Sequence, residues 1–216
     1  MTTSIRLREP AAGLSHLAGA LLGGAGLVFL LNTALAMGSP RHVVGFARFG
    51  GTMVITYLTS ALYHLLDLTP AGTRRLRRCD HAAIYLFIAG SYTPVFLLAL
   101  EGPLGTAALV GIWTLALAGV AMKLLWLEAP RWAVVGPYLL MGWFAVLCIV
   151  PLWRALPAAG LGWILAEGAF YSLGAVIYAM KRPDPLPGVF GFHEIWHLFV
   201  IAGSLCHFVA VAGYLI

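Results

Sequence analysis

The stretch Phe192-His193-Glu194-Ile195-Trp196-His197 carries two histidines four residues apart. On a helix this spacing stacks them about one 5.4 Å turn apart on one face, so both imidazoles can reach a single metal ion. Taken alone, His-Glu-x-x-His is also the pattern of a metalloprotease helix, with Glu194 as general base. Two ligands do not complete a zinc site, which takes three protein ligands when catalytic and four when structural. The other residues with suitable chemistry are His64, preceded one helical turn earlier by Ser60, and Asp80. Three neutral imidazoles and a carboxylate match the nitrogen and oxygen donors that Zn²⁺ prefers, provided the fold brings them together.

The solvent of that fold is a bilayer. Hydrophobic residues make up 61% of the chain and charged ones 10%, against roughly 45–50% and about 25% in soluble domains; the mean hydropathy is +0.92. Arg6, Arg8 and Glu9 precede an apolar run of full spanning length with no small-residue cleavage site, so the N-terminus reads as the first anchor and not as a cleaved signal peptide. Seven apolar stretches are long enough to span, starting near His16, His42, Asp80, Leu104, Arg131, Leu161 and His193. The expectation is an all-α polytopic membrane protein, a seven-transmembrane helix bundle forming one domain over residues 1–216. Gly19, Ala20, Gly23 and Gly24 in the first span have small-xxx-small spacing suited to close helix packing. Pro94 predicts a kink in the third, and Glu101-Gly102-Pro103 a tight turn after it. Cys79, Cys148 and Cys206 are scattered and odd in number, which favours buried or reduced thiols over a disulfide framework.

Basic residues set the orientation. With the N-terminus inside, Arg6, Arg8, Arg74, Arg75, Arg77, Arg78, Arg131, Lys181 and Arg182 are all cytoplasmic, with Lys123 able to snorkel from the end of the fourth span. Only Arg41, Arg48 and Arg154 fall outside, and the C-terminus is outside too. The four-arginine run is read as a topology determinant lying against anionic headgroups. This topology places His64, Asp80, His193 and His197 in one leaflet, and ionisable groups in a membrane usually face the bundle interior with a partner.

Plainer readings stand beside this one. Each histidine singly is an ordinary hydrogen-bonded core residue, Asp80 ahead of an apolar run is a preferred N-cap, and Ser60 can bond its own helix backbone instead of Asp80 or a metal-bound water. His207 lies ten residues past His197, about 15 Å along the helix, too far to share its metal. His16 and His42 sit near span ends, where an interfacial role is sufficient. His81 is next to Asp80 but projects from another side of the third helix.

Ser60-Ala61-Leu62-Tyr63-His64, Asp80-His81-Ala82-Ala83-Ile84-Tyr85 with Gly90-Ser91-Tyr92-Thr93-Pro94, and Phe192-His193-Glu194-Ile195-Trp196-His197-Leu198-Phe199 resemble, in that order, the three signature blocks of the haemolysin III family. That family is the bacterial branch of the progestin and adipoQ receptors, with a distant similarity to alkaline ceramidases. The resemblance implies zinc held by His64, His193 and His197, with Asp80 and Ser60 close to the metal-bound water. It implies a multi-pass protein of the bacterial inner membrane with a role in membrane homeostasis.

With three protein ligands, a fourth position stays open for a water of pKa near 7. The functional expectation is a zinc-dependent, ceramidase-like hydrolase. Asp80 deprotonates the water, which attacks a lipid amide or ester entering from the inner leaflet. Partners are then membrane lipids and not nucleic acid, with a homo-oligomer left open. The alternative from another class is a zinc-stabilised membrane sensor or receptor without catalysis. An intramembrane metalloprotease and a lytic pore are weaker readings, the pore because few polar residues are available to line a channel.

Overall fold

Proline opens the first three helices. Pro10, Pro40 and Pro70 each stand in the first turn, where the missing N–H would have had no intrahelical acceptor. These helices are α1 (Pro10–Ala36), α2 (Pro40–Leu65) and α3 (Pro70–Pro94). The computed structural model describes residues 7–100 and 102–216; Arg6, and Glu101 of the expected turn, lie outside them. Beyond α3 come α4 (Gly102–Leu125), α5 (Arg131–Gly142), α6 (Ile149–Ala155), α7 (Ala158–Met180) and α8 (Phe192–Tyr214). A 3₁₀ turn at Phe144–Cys148 joins α5 to α6, so that residues Trp132–Ala155 form one interrupted rod. Among the described residues the result is seven helical rods of spanning length, a polytopic membrane bundle.

Six of these rods are long and apolar enough to cross a bilayer. The seventh, α2, has 26 residues, enough for about 39 Å of helix, but carries Arg41, His42, Arg48, Thr52, Thr56, Thr59, Ser60 and His64. It tolerates them because it is clasped between α1 and α3 and presents Phe46, Phe49, Met53, Tyr57 and His64 to the protein interior. A helix that faces protein on most sides need not be as apolar as one that faces lipid. Leu21, Leu22, Leu117, Leu147 and Trp153 of other rods are exposed and supply the lipid-facing surface.

The helices begin before the hydrophobic runs do. α3 starts ten residues before Asp80, capped by the Thr69 hydroxyl, which accepts from Gly72 N–H at 3.3 Å. Arg74, Arg75, Arg77 and Arg78 therefore lie on the helix and not in a loop, and Asp80 is not an N-cap. Arginine is a good helix former, so hydropathy marks where the membrane begins and not where the helix does. After Pro94 the chain passes directly into a π-helical segment at Val95–Ala99, where the regular α-helical bonding pattern is broken. Lys123 does not snorkel. Tyr85 packs on Gly119, one turn before it, and Lys123 is enclosed between α3 and α4. Cys148 and Cys206 are buried, and Cys79 is exposed.

Gly19 and Gly23 of α1 pack closely as expected and Ala20 is buried, whereas nothing lies within 4 Å of a Cβ placed on Gly24. A Cβ on Gly19 would stand 3.3 Å from the Tyr57 ring, and one on Gly23 would stand 3.1 Å from Met53 Cε. Gly19→Leu is expected to push α1 off α2 at an overpacking cost of about 1–3 kcal/mol. It should lower the melting temperature in detergent, whereas an unchanged melting curve would mean that α1 is not held closely there.

Candidate metal centre

The centre is assembled where α1 and α8 begin and α2 ends, the cytoplasmic end by the distribution of basic residues. Glu9 immediately precedes α1 and crosses to the end of α2. Its backbone N–H donates to the His64 carbonyl at 2.9 Å, and its carboxylate accepts from His64 Nδ1–H. The hydrogen bond from His64 holds the Glu9 carboxyl below its ordinary value, against the burial that pushes it up. With Nδ1 committed, the His64 lone pair sits on Nε2, which faces His193 Nε2 at 3.3 Å. His197 Nδ1–H donates to the Ala12 carbonyl at 3.2 Å, leaving its own Nε2 buried and without a partner.

The three rings form a near-equilateral triangle, with centroid separations of 4.9, 5.0 and 4.7 Å. Among the described residues, His64, His193 and His197 form one group able to hold a metal ion, with one ligand nitrogen from each within 4.8 Å of the others. A cation among these nitrogens satisfies the buried His197 Nε2 and the facing pair at once, as buried polar atoms require. Carboxylate and backbone carbonyl behind two of the rings are the usual supports of metal-bound histidine. The residues present fit a metal.

Asp80 is 7% exposed and lines the cavity that opens beside the triangle. It lies close enough to His64 and Ser60 for their side chains to interact. Ser60 is buried and hydrogen-bonded to His16 Nδ1 at 2.7 Å. His16 in turn stacks on His197, with centroids 3.6 Å apart and planes 9° from parallel. The expected interfacial place for His16 is thus incorrect: with α1 starting at Pro10, His16 falls almost two turns inside the helix and is 3% exposed. His42 stays at the start of α2, bonded to Ser39 Oγ at 2.7 Å. His81 lines the cavity without joining the triangle. The Glu194 carboxylate accepts from the Gly191 N–H at 2.8 Å and so caps the start of its own helix.

Behind the triangle lies a cavity of about 610 Å³ that runs through the bundle. Its cytoplasmic end is polar, with Glu9, His64, Asp80 and His193, and its walls are largely apolar, including Ile84, Ile88, Val134, Leu139 and Ile164. This volume falls in the range of small-molecule sites, which are mostly apolar with a few converging polar groups.

Helix number, the order of the polar blocks along the chain and this three-imidazole corner describe a multi-pass membrane protein of the cell membrane with a metal-capable centre near one face. The chain belongs to the Haemolysin-III related family, whose model matches residues 5–208. It is 38% identical to hemolysin-3 of Bacillus cereus over 208 residues, covering 96% of this chain and 92% of that protein. Animal relatives are more distant. Human monocyte to macrophage differentiation factor is 28% identical over 171 residues, covering 77% of this chain and 68% of the relative. An adiponectin receptor protein of Drosophila melanogaster is 28% identical over 223 residues, covering 90% of this chain and 48% of that receptor.

Proposed function

We propose that this protein is a zinc-dependent hydrolase of lipid amide or ester bonds that serves membrane lipid homeostasis, with His64, His193 and His197 as the zinc ligands. The observation that carries this reading is the meeting of three imidazoles and a separate carboxylate, Asp80, at the polar end of a long apolar-walled cavity. A catalytic zinc keeps three protein ligands and an open position, whereas a structural one is closed by a fourth side chain. When bound, zinc supplies Lewis acidity, which polarises a carbonyl and makes water acidic enough to react at neutral pH.

The chain's own residues do the rest. Glu9 and the Ala12 carbonyl fix the tautomers and orientations of His64 and His197. Asp80, held in the cavity wall, takes the proton from the attacking water. Ser60 braces His16, the ring stacked on His197. The apolar walls take the hydrocarbon chain and exclude bulk water. Glu194 turns its carboxylate back to cap its own helix, Oε2 accepting from the Gly191 N–H, which weighs against the metalloprotease reading.

The test is a panel of ceramides, N-acyl amides and glycerolipid esters given to the purified, zinc-loaded protein, with fatty acid release followed by mass spectrometry. Release from at least one class is expected; a zinc-replete protein that cleaves none of them refutes the hydrolase. Glu9→Ala is expected to weaken zinc binding about 10–100-fold, the usual effect of losing a carboxylate behind a metal-bound histidine. Competition with a calibrated zinc chelator measures it, and unchanged affinity would remove Glu9 from the centre. A second reading draws on the way the cluster ties α1, α2 and α8 together: zinc as the fastening of a lipid-responsive sensor without turnover.

A further inference from the structure

A second buried polar group stands in the same cavity. His207 lies ten residues beyond His197 on α8, about 15 Å farther along the axis, and its Nδ1–H donates to Glu167 Oε2 of α7 at 2.7 Å. Both residues line the cavity. Their side chains are 3% and 11% exposed, although neither end of the bundle is near: Glu167 is nine residues into α7, and His207 is seven from the end of α8. An acid and an imidazole at such depth are costly and mark function more often than scaffolding.

The surroundings leave the pair incompletely satisfied. The Phe49 ring packs against His207, with centroids 4.6 Å apart. The hydroxyls of Tyr57 and Tyr171 are engaged with Ser204, at 2.6 and 3.2 Å. His207 Nε2 is buried and has no partner, and the carboxylate has one oxygen bonded to His207 and the other free for a ligand. The chemistry set out above for the three-histidine centre uses neither residue.

We propose that Glu167 and His207 form a polar subsite for a hydroxyl group carried along the hydrocarbon chain of the bound lipid. The proposal rests on the reading that a lipid occupies the cavity with its carbonyl end at the histidine triangle. A hydroxyl suits the pair because it donates to a carboxylate oxygen and brings no second charge to be desolvated. A backbone residue of three bonds spans at most about 3.6 Å, or ~1.2 Å per bond, so 15 Å corresponds to roughly a dozen bonds. The favoured hydroxyl is therefore near the middle of a long acyl chain and not beside the carbonyl. A plain chain threaded past the pair would bury a carboxylate oxygen without a donor, and sites built to bond a hydroxyl discriminate against analogues that lack it.

The experiment is equilibrium competition against labelled octadecanoate on the full-length, zinc-loaded protein in lipid nanodiscs, using octadecanoate, 2-hydroxyoctadecanoate and 12-hydroxyoctadecanoate. The 12-hydroxy acid is expected to bind about tenfold or more tighter than the other two, the usual worth of a hydrogen bond to a charged group. The double variant Glu167→Met/His207→Phe removes both polar partners together and should abolish that preference by raising octadecanoate affinity toward that of the 12-hydroxy acid, because no carboxylate oxygen is left without a donor. Equal affinities for the three acids in the native protein overturn the subsite and leave the lipid cavity standing. Failure of all three to bind overturns the cavity reading and the subsite with it. The comparison of ligands in the native protein decides the matter even if the double variant does not fold.

Discussion

His197→Ala is expected to strip the protein of zinc. The side chain is fully buried, its Nδ1 is held by the Ala12 carbonyl, and its free Nε2 is one corner of the triangle. Losing a group that only orients a ligand costs about 10–100-fold in metal affinity, so losing the ligand itself should exceed about 100-fold. Elemental analysis of the purified variant should find zinc near background, with the same result for His64→Ala and His193→Ala. His81→Ala is the control, because His81 lines the same cavity outside the triangle and should leave zinc unchanged. A His197→Ala protein that folds and keeps its zinc would refute the assignment. Truncating a buried ring also creates a cavity, at about 3–5 kcal/mol for large aromatic residues. Circular dichroism and gel filtration of each variant must therefore accompany the metal analysis.

The parts of the centre that were legible in the sequence are those fixed by helical period and membrane depth. The spacing of His193 and His197 sets their shared face. His64 could be brought to the same depth because alternating spans return the end of α2 and the start of α8 to one side of the bilayer. Glu9 was not legible in this way. It sits outside the apolar run, and nothing in its neighbours Arg8 and Pro10 points to a histidine more than fifty residues away. His16 was misplaced for a related reason: hydropathy located the start of the membrane span six residues after the helix begins. The same error made Asp80 look like a helix cap, whereas α3 extends ten residues before it.

Lys123 and the Glu167–His207 pair teach a different lesson. Depth along a helix can be counted from sequence, but azimuth depends on which neighbour is packed where. Gly119 lets Tyr85 approach α4 and encloses Lys123. Glu167 meets His207 only because α7 and α8 pack side by side in antiparallel register. Both outcomes are tertiary, and no local pattern encodes them.

Asp80→Asn is expected to keep zinc and lose turnover, which separates the enzyme from the sensor. Asparagine has nearly the shape of aspartate, so the packing of α3 around position 80 should survive. It cannot accept a proton, however, and removing a general base typically costs 10²–10⁴ in rate. The metal should stay, because Asp80 lies outside the three-histidine group and the supports of His64 and His197 come from Glu9 and Ala12. Paired measurements on one preparation, zinc by elemental analysis and fatty acid release by mass spectrometry, give a result that neither provides alone. Zinc retained with hydrolysis reduced about 100-fold or more assigns Asp80 to the chemistry. Zinc and hydrolysis both retained would mean that the carboxylate is a bystander and that another group takes the proton. Loss of zinc would make Asp80 part of the metal's support. Ser60→Ala in parallel should lower the rate less, since Ser60 takes no proton itself and acts on the centre through Asp80 and through His16, whose ring stacks on His197.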